Sequence, residues 1–143
     1  MNTKYHQLWG DNDMENNERY EKGIHAMEEL FSEEVRTGMR HIQKISPDFW
    51  DMIVSSGFGD LYARNTLTME QREYITLTTL ITQGAFDQLG VHVQAALNIG
   101  MSQEEIIEII IHCSGYVGFP KAIQAMGIAG EIFKNHDDAS RKD

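Results

Sequence analysis

The sequence predicts an all-α helical bundle of about six to seven helices, on three observations. Tyr20, Ile24, Met27 and Phe31 recur at spacings of four, three and four, the mark of one helical face. Thr68-Met69-Glu70-Gln71 and Ser102-Gln103-Glu104-Glu105 fit the capping box, in which the hydroxyl and the N3 side chain satisfy each other's orphan backbone donors. Glycines stand where such helices should stop, at Gly84 and Gly100, and the chain holds only two prolines.

Residues 1–14 mix Gly, Asn and Asp without a sustained period and read as an N-terminal arm, either loose or docked on a neighbour through Leu8-Trp9. The first helix is expected from about Asn16 and a shorter one over Val35 to Ile45. Ser46-Pro47 supplies an N-cap and then proline at the first helical position, opening a helix that runs to about Tyr62. The two capping boxes and the glycines give helices near 69–83, 85–99 and 103–117. Phe119-Pro120 opens a last helix to about Lys134. One helical domain, 15–135, is expected, followed by a polar tail over 136–143.

The helix from Glu104 to Val117 carries Ile106, Ile107, Ile109, Ile110, Ile111, Cys113, Tyr116 and Val117, which leaves little polar arc and predicts burial on nearly all sides. A chain of this length has difficulty enclosing a helix completely. Part of that surface is therefore expected to meet another subunit of a homo-oligomer.

The 143 residues carry 12 Lys+Arg against 22 Asp+Glu, a net charge of −10, with 41% apolar residues. A chain of this size buries roughly 68–70% of its unfolded surface, enough for a core without disulfides or a structural metal. The negative field and the lack of any long Lys/Arg cluster exclude nucleic acid as the expected partner. No leader pattern and no apolar run of membrane-spanning length is seen, so no membrane partner is expected and the cytoplasm is the expected location. A single cysteine, Cys113, forbids an intrachain disulfide; in an apolar helix its usual role is that of a small hydrophobe.

Projecting residues 70–83 at about 100° per residue places Glu73 inside the apolar arc formed by Leu80, Leu77, Ile81 and Tyr74. The same projection of 85–99 places His92 inside the arc formed by Ile99, Ala85, Ala96, Leu89 and Val93. Two consecutive helices each point one ionisable side chain into their own buried face, and the tight connection at Gly84 makes them antiparallel neighbours. Burial disfavours the charged form of such groups and mutual pairing favours it, a competition suited to proton transfer. The bland alternative is a carboxylate near a helix N-terminus and a hydrogen-bonded core histidine.

Arg64, in the loop before the first capping box, has a guanidinium able to grip a carboxylate in bidentate fashion, although such an arginine is more often a solvated surface residue. His25, Glu28 and Glu29 have metal-ligand spacing, but a surface ion pair accounts for them and no metal is assigned. Gly57-Phe58-Gly59 lacks the third glycine and the preceding strand of a dinucleotide loop. His112 either lines a pocket or fills an interface.

From Arg19 to Phe133 the chain resembles the carboxymuconolactone decarboxylase family, an all-helical group that also contains the alkyl hydroperoxidase D proteins. The resemblance is carried by Arg19-Tyr20-Glu21-Lys22-Gly23, Tyr62-Ala63-Arg64 with Leu67, Arg72-Glu73-Tyr74-Ile75-Thr76-Leu77, the run from His92 to Gly100 with Glu104-Glu105-Ile106, and Tyr116-Val117-Gly118-Phe119-Pro120. In the peroxidase branch a Glu precedes a Cys-x-x-Cys pair and a His follows four residues after the second Cys. Laid on this chain, these are Glu73 and His92, with Ala85 and Gln88 at the cysteine positions. Without thiols there, the peroxidatic chemistry is lost and the acid–base pair is kept.

The resemblance therefore implies the decarboxylase branch, acting without a cofactor on a small anionic substrate such as 4-carboxymuconolactone. It implies His92 as proton donor to the dienolate carbon, Glu73 as the residue that orients or tunes it, and Arg64 as holder of a substrate carboxylate. Gln88 and Tyr116 are implied as further substrate-binding positions, and a homotrimer or homohexamer as the assembly. Asn65-Thr66 stands where Pro-Gly is usual, and Gly115 where a larger residue is common, departures that bear on the substrate. A hydroperoxidase-type antioxidant and a non-catalytic oligomeric binder are the alternatives.

Overall fold

The computed structural model describes residues 3–143, with side chains from Met14 onward. The chain forms two compact units, one ending at Thr66 and the other covering Leu67–Asp143. All regular structure among the described residues is helical, as the sequence predicts.

The first unit contains α1 (Thr3–Leu30), α2 (Glu33–Met39), α3 (His41–Ile45) and α4 (Pro47–Met52), which continues directly into a π-helix over Ile53–Tyr62. The Ser46 hydroxyl caps α4 by accepting the Phe49 N–H at 3.2 Å, with Pro47 at the start as expected. The stretch to Tyr62 is helical as read, but its second part is wound with wider turns, closed by the Ala63 N–H on the Phe58 carbonyl at 3.1 Å. That segment packs on α1 backbone to backbone. A Cβ at Gly23 would run into the Val54 carbonyl, and one at Gly59 into the Arg19 carbonyl. Arg19 clamps the contact through two bonds to Asp60, Nη2 to Oδ2 at 2.6 Å and Nε to Oδ1 at 2.9 Å. Phe58 completes it, stacked on Tyr62 and edge-on to Phe31 with ring centroids 5.2 Å and 5.6 Å apart.

The backbone of α1 is helical back to Thr3, through the stretch read as an irregular arm. Met1 and Asn2, and the Leu8-Trp9 side chains proposed to dock, lie outside the described residues.

The second unit contains α5 (Met69–Gln83), α6 (Phe86–Asn98), α7 (Gln103–Val117) and α8 (Phe119–Ser140). Both capping boxes form as read: the Thr68 and Ser102 hydroxyls accept the Gln71 and Glu105 N–H groups at 3.1 Å, and the return bonds are 2.9 Å and 2.8 Å. Gly84 ends α5 at φ 71°, a left-handed conformation that costs glycine little and other residues more. The core joins Leu77 and Ile81 of α5, Leu89, Val93 and Ala96 of α6, Ile106, Ile109 and Ile110 of α7, and Ala125, Ala129 and Phe133 of α8. No helix among the described residues is long and apolar enough to cross a membrane.

The last helix, expected to reach about Lys134, runs on to Ser140; this added stretch is polar, so no apolar period marks it, and Gln103 Nε2 donates to its Asp137 at 2.9 Å. One chain covers only part of α7. Ile106, Ile109, Ile110 and Cys113 are buried against α5, α6 and α8, but Ile111 is 51% and Tyr116 84% exposed.

Candidate active site

Glu73 and His92 meet. The capping box at Thr68 fixes where α5 begins, the Gly84 turn reverses the chain within two residues, and α6 returns beside α5. His92 Nδ1 lies 3.1 Å from Glu73 Oε2 and 3.3 Å from Oε1, so a proton on Nδ1 is donated to the carboxylate. Glu73 is fully buried and the His92 side chain keeps 11% of its surface accessible. Leu77 and Ile81 continue the same face of α5, and Leu89, Val93 and Ala96 flank His92 on α6, all buried. A carboxylate held on one ring nitrogen fixes the orientation and the tautomer of the imidazole.

The other expected residues are placed as follows. Gln88 is one turn before His92 on α6, exposed, and lines an open cavity of about 530 Å³ with Gly84, Ala85, Phe86, Asp87 and Gln124 of α8. Tyr116 stands at the exposed end of α7, its ring 5.5 Å from that of His112. Arg64 follows the π-helix in the first unit and is exposed, its N–H on the Leu61 carbonyl at 3.3 Å. Cys113 is buried and donates weakly to the Thr78 hydroxyl at 3.9 Å, in keeping with the small-hydrophobe reading. His25 and Glu28 form a surface pair at 3.5 Å.

His112, read as lining a pocket or filling an interface, lines a second cavity, of about 370 Å³, with Tyr74, Glu105, Glu108 and Ile109, none of which the sequence had singled out for it. The Tyr74 hydroxyl donates to Glu105 Oε1 at 3.4 Å. Partial desolvation first, and the Glu105 charge second, hold this phenol above its ordinary value. The signal available was Glu108 and His112 at i, i+4 on α7. Gln124 was missed as well, because an exposed glutamine on a helix has no pattern that separates it from ordinary surface.

The sequence profile of the carboxymuconolactone decarboxylase family matches residues 47–131. The 4-carboxymuconolactone decarboxylase of Acinetobacter baylyi is 31% identical over 130 residues, covering 90% of this chain and 97% of that protein. The nitrosuccinic acid decarboxylase of Metarhizium robertsii is 31% identical over 108 residues, 75% of this chain and 76% of its own. An uncharacterized 15.0 kDa protein of Paracoccus denitrificans is 29% identical over 102 residues, 70% of this chain and 76% of its own. The chain belongs to the carboxymuconolactone decarboxylase family. Its similarity to two named decarboxylases makes its enzyme class that of a carboxy-lyase.

Proposed function

We propose that this protein decarboxylates a small carboxylated lactone, or a related acid in which the carbon bearing the carboxylate is joined, directly or through a double bond, to an electron-withdrawing group. The observation that carries the reading is the buried Glu73–His92 pair, 3.1 Å apart, in a chain similar to two named decarboxylases. Breaking the bond to the departing carboxylate leaves its electron pair on carbon. In an unsaturated lactone the ring carbonyl accepts that pair as a dienolate, and in a nitro acid the nitro group accepts it, so the substrate supplies its own sink. The protein's part is to orient the substrate, stabilise the charge and protonate the carbon.

In this reading protonated His92 passes the Nε2 proton to carbon as carbon dioxide leaves. The neutral ring keeps its Nδ1–H on Glu73, and solvent restores the proton. Arg64 is proposed to hold a substrate carboxylate, on the strength of its fork-shaped guanidinium and its matched position; Arg64→Lys should raise KM. A homotrimer or homohexamer is proposed, supported by the apolar side chains that α7 and α8 expose. We place the protein in the cytoplasm, where a free thiol such as Cys113 persists; cell fractionation checks this.

The test is carbon dioxide release from a panel of small unsaturated carboxylated lactones and nitro-substituted carboxylic acids. His92→Ala should lower kcat by about 10²–10⁴ while helix content is unchanged. A rate like that of the wild type in this variant removes His92 from the mechanism.

A further inference from the structure

The cavity at the start of α6 is lined by two side-chain amides that arrive from different helices, Gln88 of α6 and Gln124 of α8. Both are exposed, and among the described residues neither amide makes a side-chain hydrogen bond. The rest of the lining is small or apolar, Gly84, Ala85 and Phe86, apart from Asp87. Lys121, three residues before Gln124 on α8, sets its ammonium 2.7 Å from the Thr82 carbonyl, two residues from the cavity's Gly84. The lining carries the Asp87 carboxylate, and Lys121 sets a positive charge near it from α8.

Gln88 precedes His92 by one turn of α6, so the two share one stripe of that helix, and side chains on a helix lean towards its N-terminus, which carries the His92 side chain towards the Gln88 turn. His92 is not itself part of the cavity lining. In a dienolate the oxygen that collects charge lies within a few ångströms of the carbon that takes the proton. A donor about 3 Å beyond that oxygen then falls roughly one helical turn, ~5.4 Å, from the proton donor.

We propose that the Gln88 and Gln124 amides are the hydrogen-bond donors for the carbonyl or nitro oxygen on which charge collects during decarboxylation. Gln124 is thus a catalytic residue supplied by α8. The proposal rests on the reading of His92 as proton donor. Donors fixed before the reaction act most strongly on charge that develops in the transition state, so they act on kcat more than on ground-state binding. Their accessibility to water places each amide's effect below that of a fully enclosed donor.

Two measurements test this on the full chain. The first is steady-state carbon dioxide release by the wild type, Gln124→Leu, Gln88→Leu and Gln124→Glu. Each Leu variant should lose about tenfold in kcat, with KM changed less than threefold and the melting temperature unchanged. Gln124→Glu keeps the shape but replaces donors with a negative acceptor, and should lose more than Gln124→Leu. The second follows the Gln88 and Gln124 side-chain amide resonances by NMR during titration with a saturated lactone carboxylate, 5-oxotetrahydrofuran-2-carboxylate. Both should shift. Turnover by the wild type with kcat intact in Gln124→Glu overturns this inference and leaves the His92 reading standing. Shifted amides without turnover on any substrate overturn the decarboxylation reading, and with it the catalytic role given to the amides, while leaving a ligand site. Neither turnover nor shifts overturns both.

Discussion

At the scale of single residues, the Glu73 carboxylate has no accessible surface and the His92 ring very little, so the 3.1 Å contact between them is shielded from water. Glu73→Ala removes the acceptor of the Nδ1 proton and opens a cavity in the core. Its expected cost is about 1–3 kcal/mol in urea unfolding. Glu73→Gln restores an acceptor oxygen and most of that stability, yet holds no negative charge beside the protonated ring, so its activity should stay low. Equal stability of Glu73→Ala and the wild type would show that the pair contributes nothing to the fold. This pair was legible in the sequence because an ionisable side chain inside an apolar arc breaks a pattern. Gln124 and the Tyr74–Glu105 contact were not, since exposed polar residues on a helix break no pattern and only the folded chain shows what they face.

At the scale of elements, hydroxyl caps and stop glycines gave most helix starts and ends to within a residue, because each acts within one turn of its own helix. The π-winding of Ile53–Tyr62 was not readable, since ten residues of mixed apolar character fit either turn width. The need for glycine at 23 and 59 likewise exists only once α1 and the π-helix touch. Gly59→Ala should destabilise by about 1–3 kcal/mol, because the obstructing atom is a backbone carbonyl that cannot rotate away. An unchanged urea midpoint would show that the two helices can separate freely. The Arg19–Asp60 clamp makes a prediction of its own. The hydrogen bond from Arg19, and then its charge, hold the Asp60 carboxyl below its ordinary value. Its contribution is therefore present above the usual carboxylate range and is lost as pH falls through the lowered value. Melting curves of the wild type and Asp60→Asn should be separated at neutral pH and converge in acid. A constant separation would contradict the clamp.

For the molecule as a whole, the apolar surface left uncovered by one chain is the main structural remainder. Ile111, Tyr116, Phe119 and Ile123 are 51%, 84%, 71% and 70% exposed on α7 and α8. Ile110, Ile111, Phe119 and Ile123 line a shallow groove of about 260 Å³ with Ser114, Ala122 and Met126. A patch of this kind on an acidic chain is expected to be covered by further copies. Sedimentation should give a trimer or hexamer for the wild type and smaller species for Ile123→Glu, and a monomeric wild type at micromolar concentration would refute the assembly. The sequence pointed to this surface through an overly apolar helix that one chain of this length has difficulty enclosing. The proposed chemistry nevertheless depends on the buried acid–imidazole pair. Its most direct test is carbon dioxide release from an unsaturated carboxylated lactone by the wild type, His92→Ala and Glu73→Gln, compared at matched helix content. The account predicts turnover by the wild type and a loss of at least about a hundredfold in both variants, whereas release by either variant at the wild-type rate would contradict it.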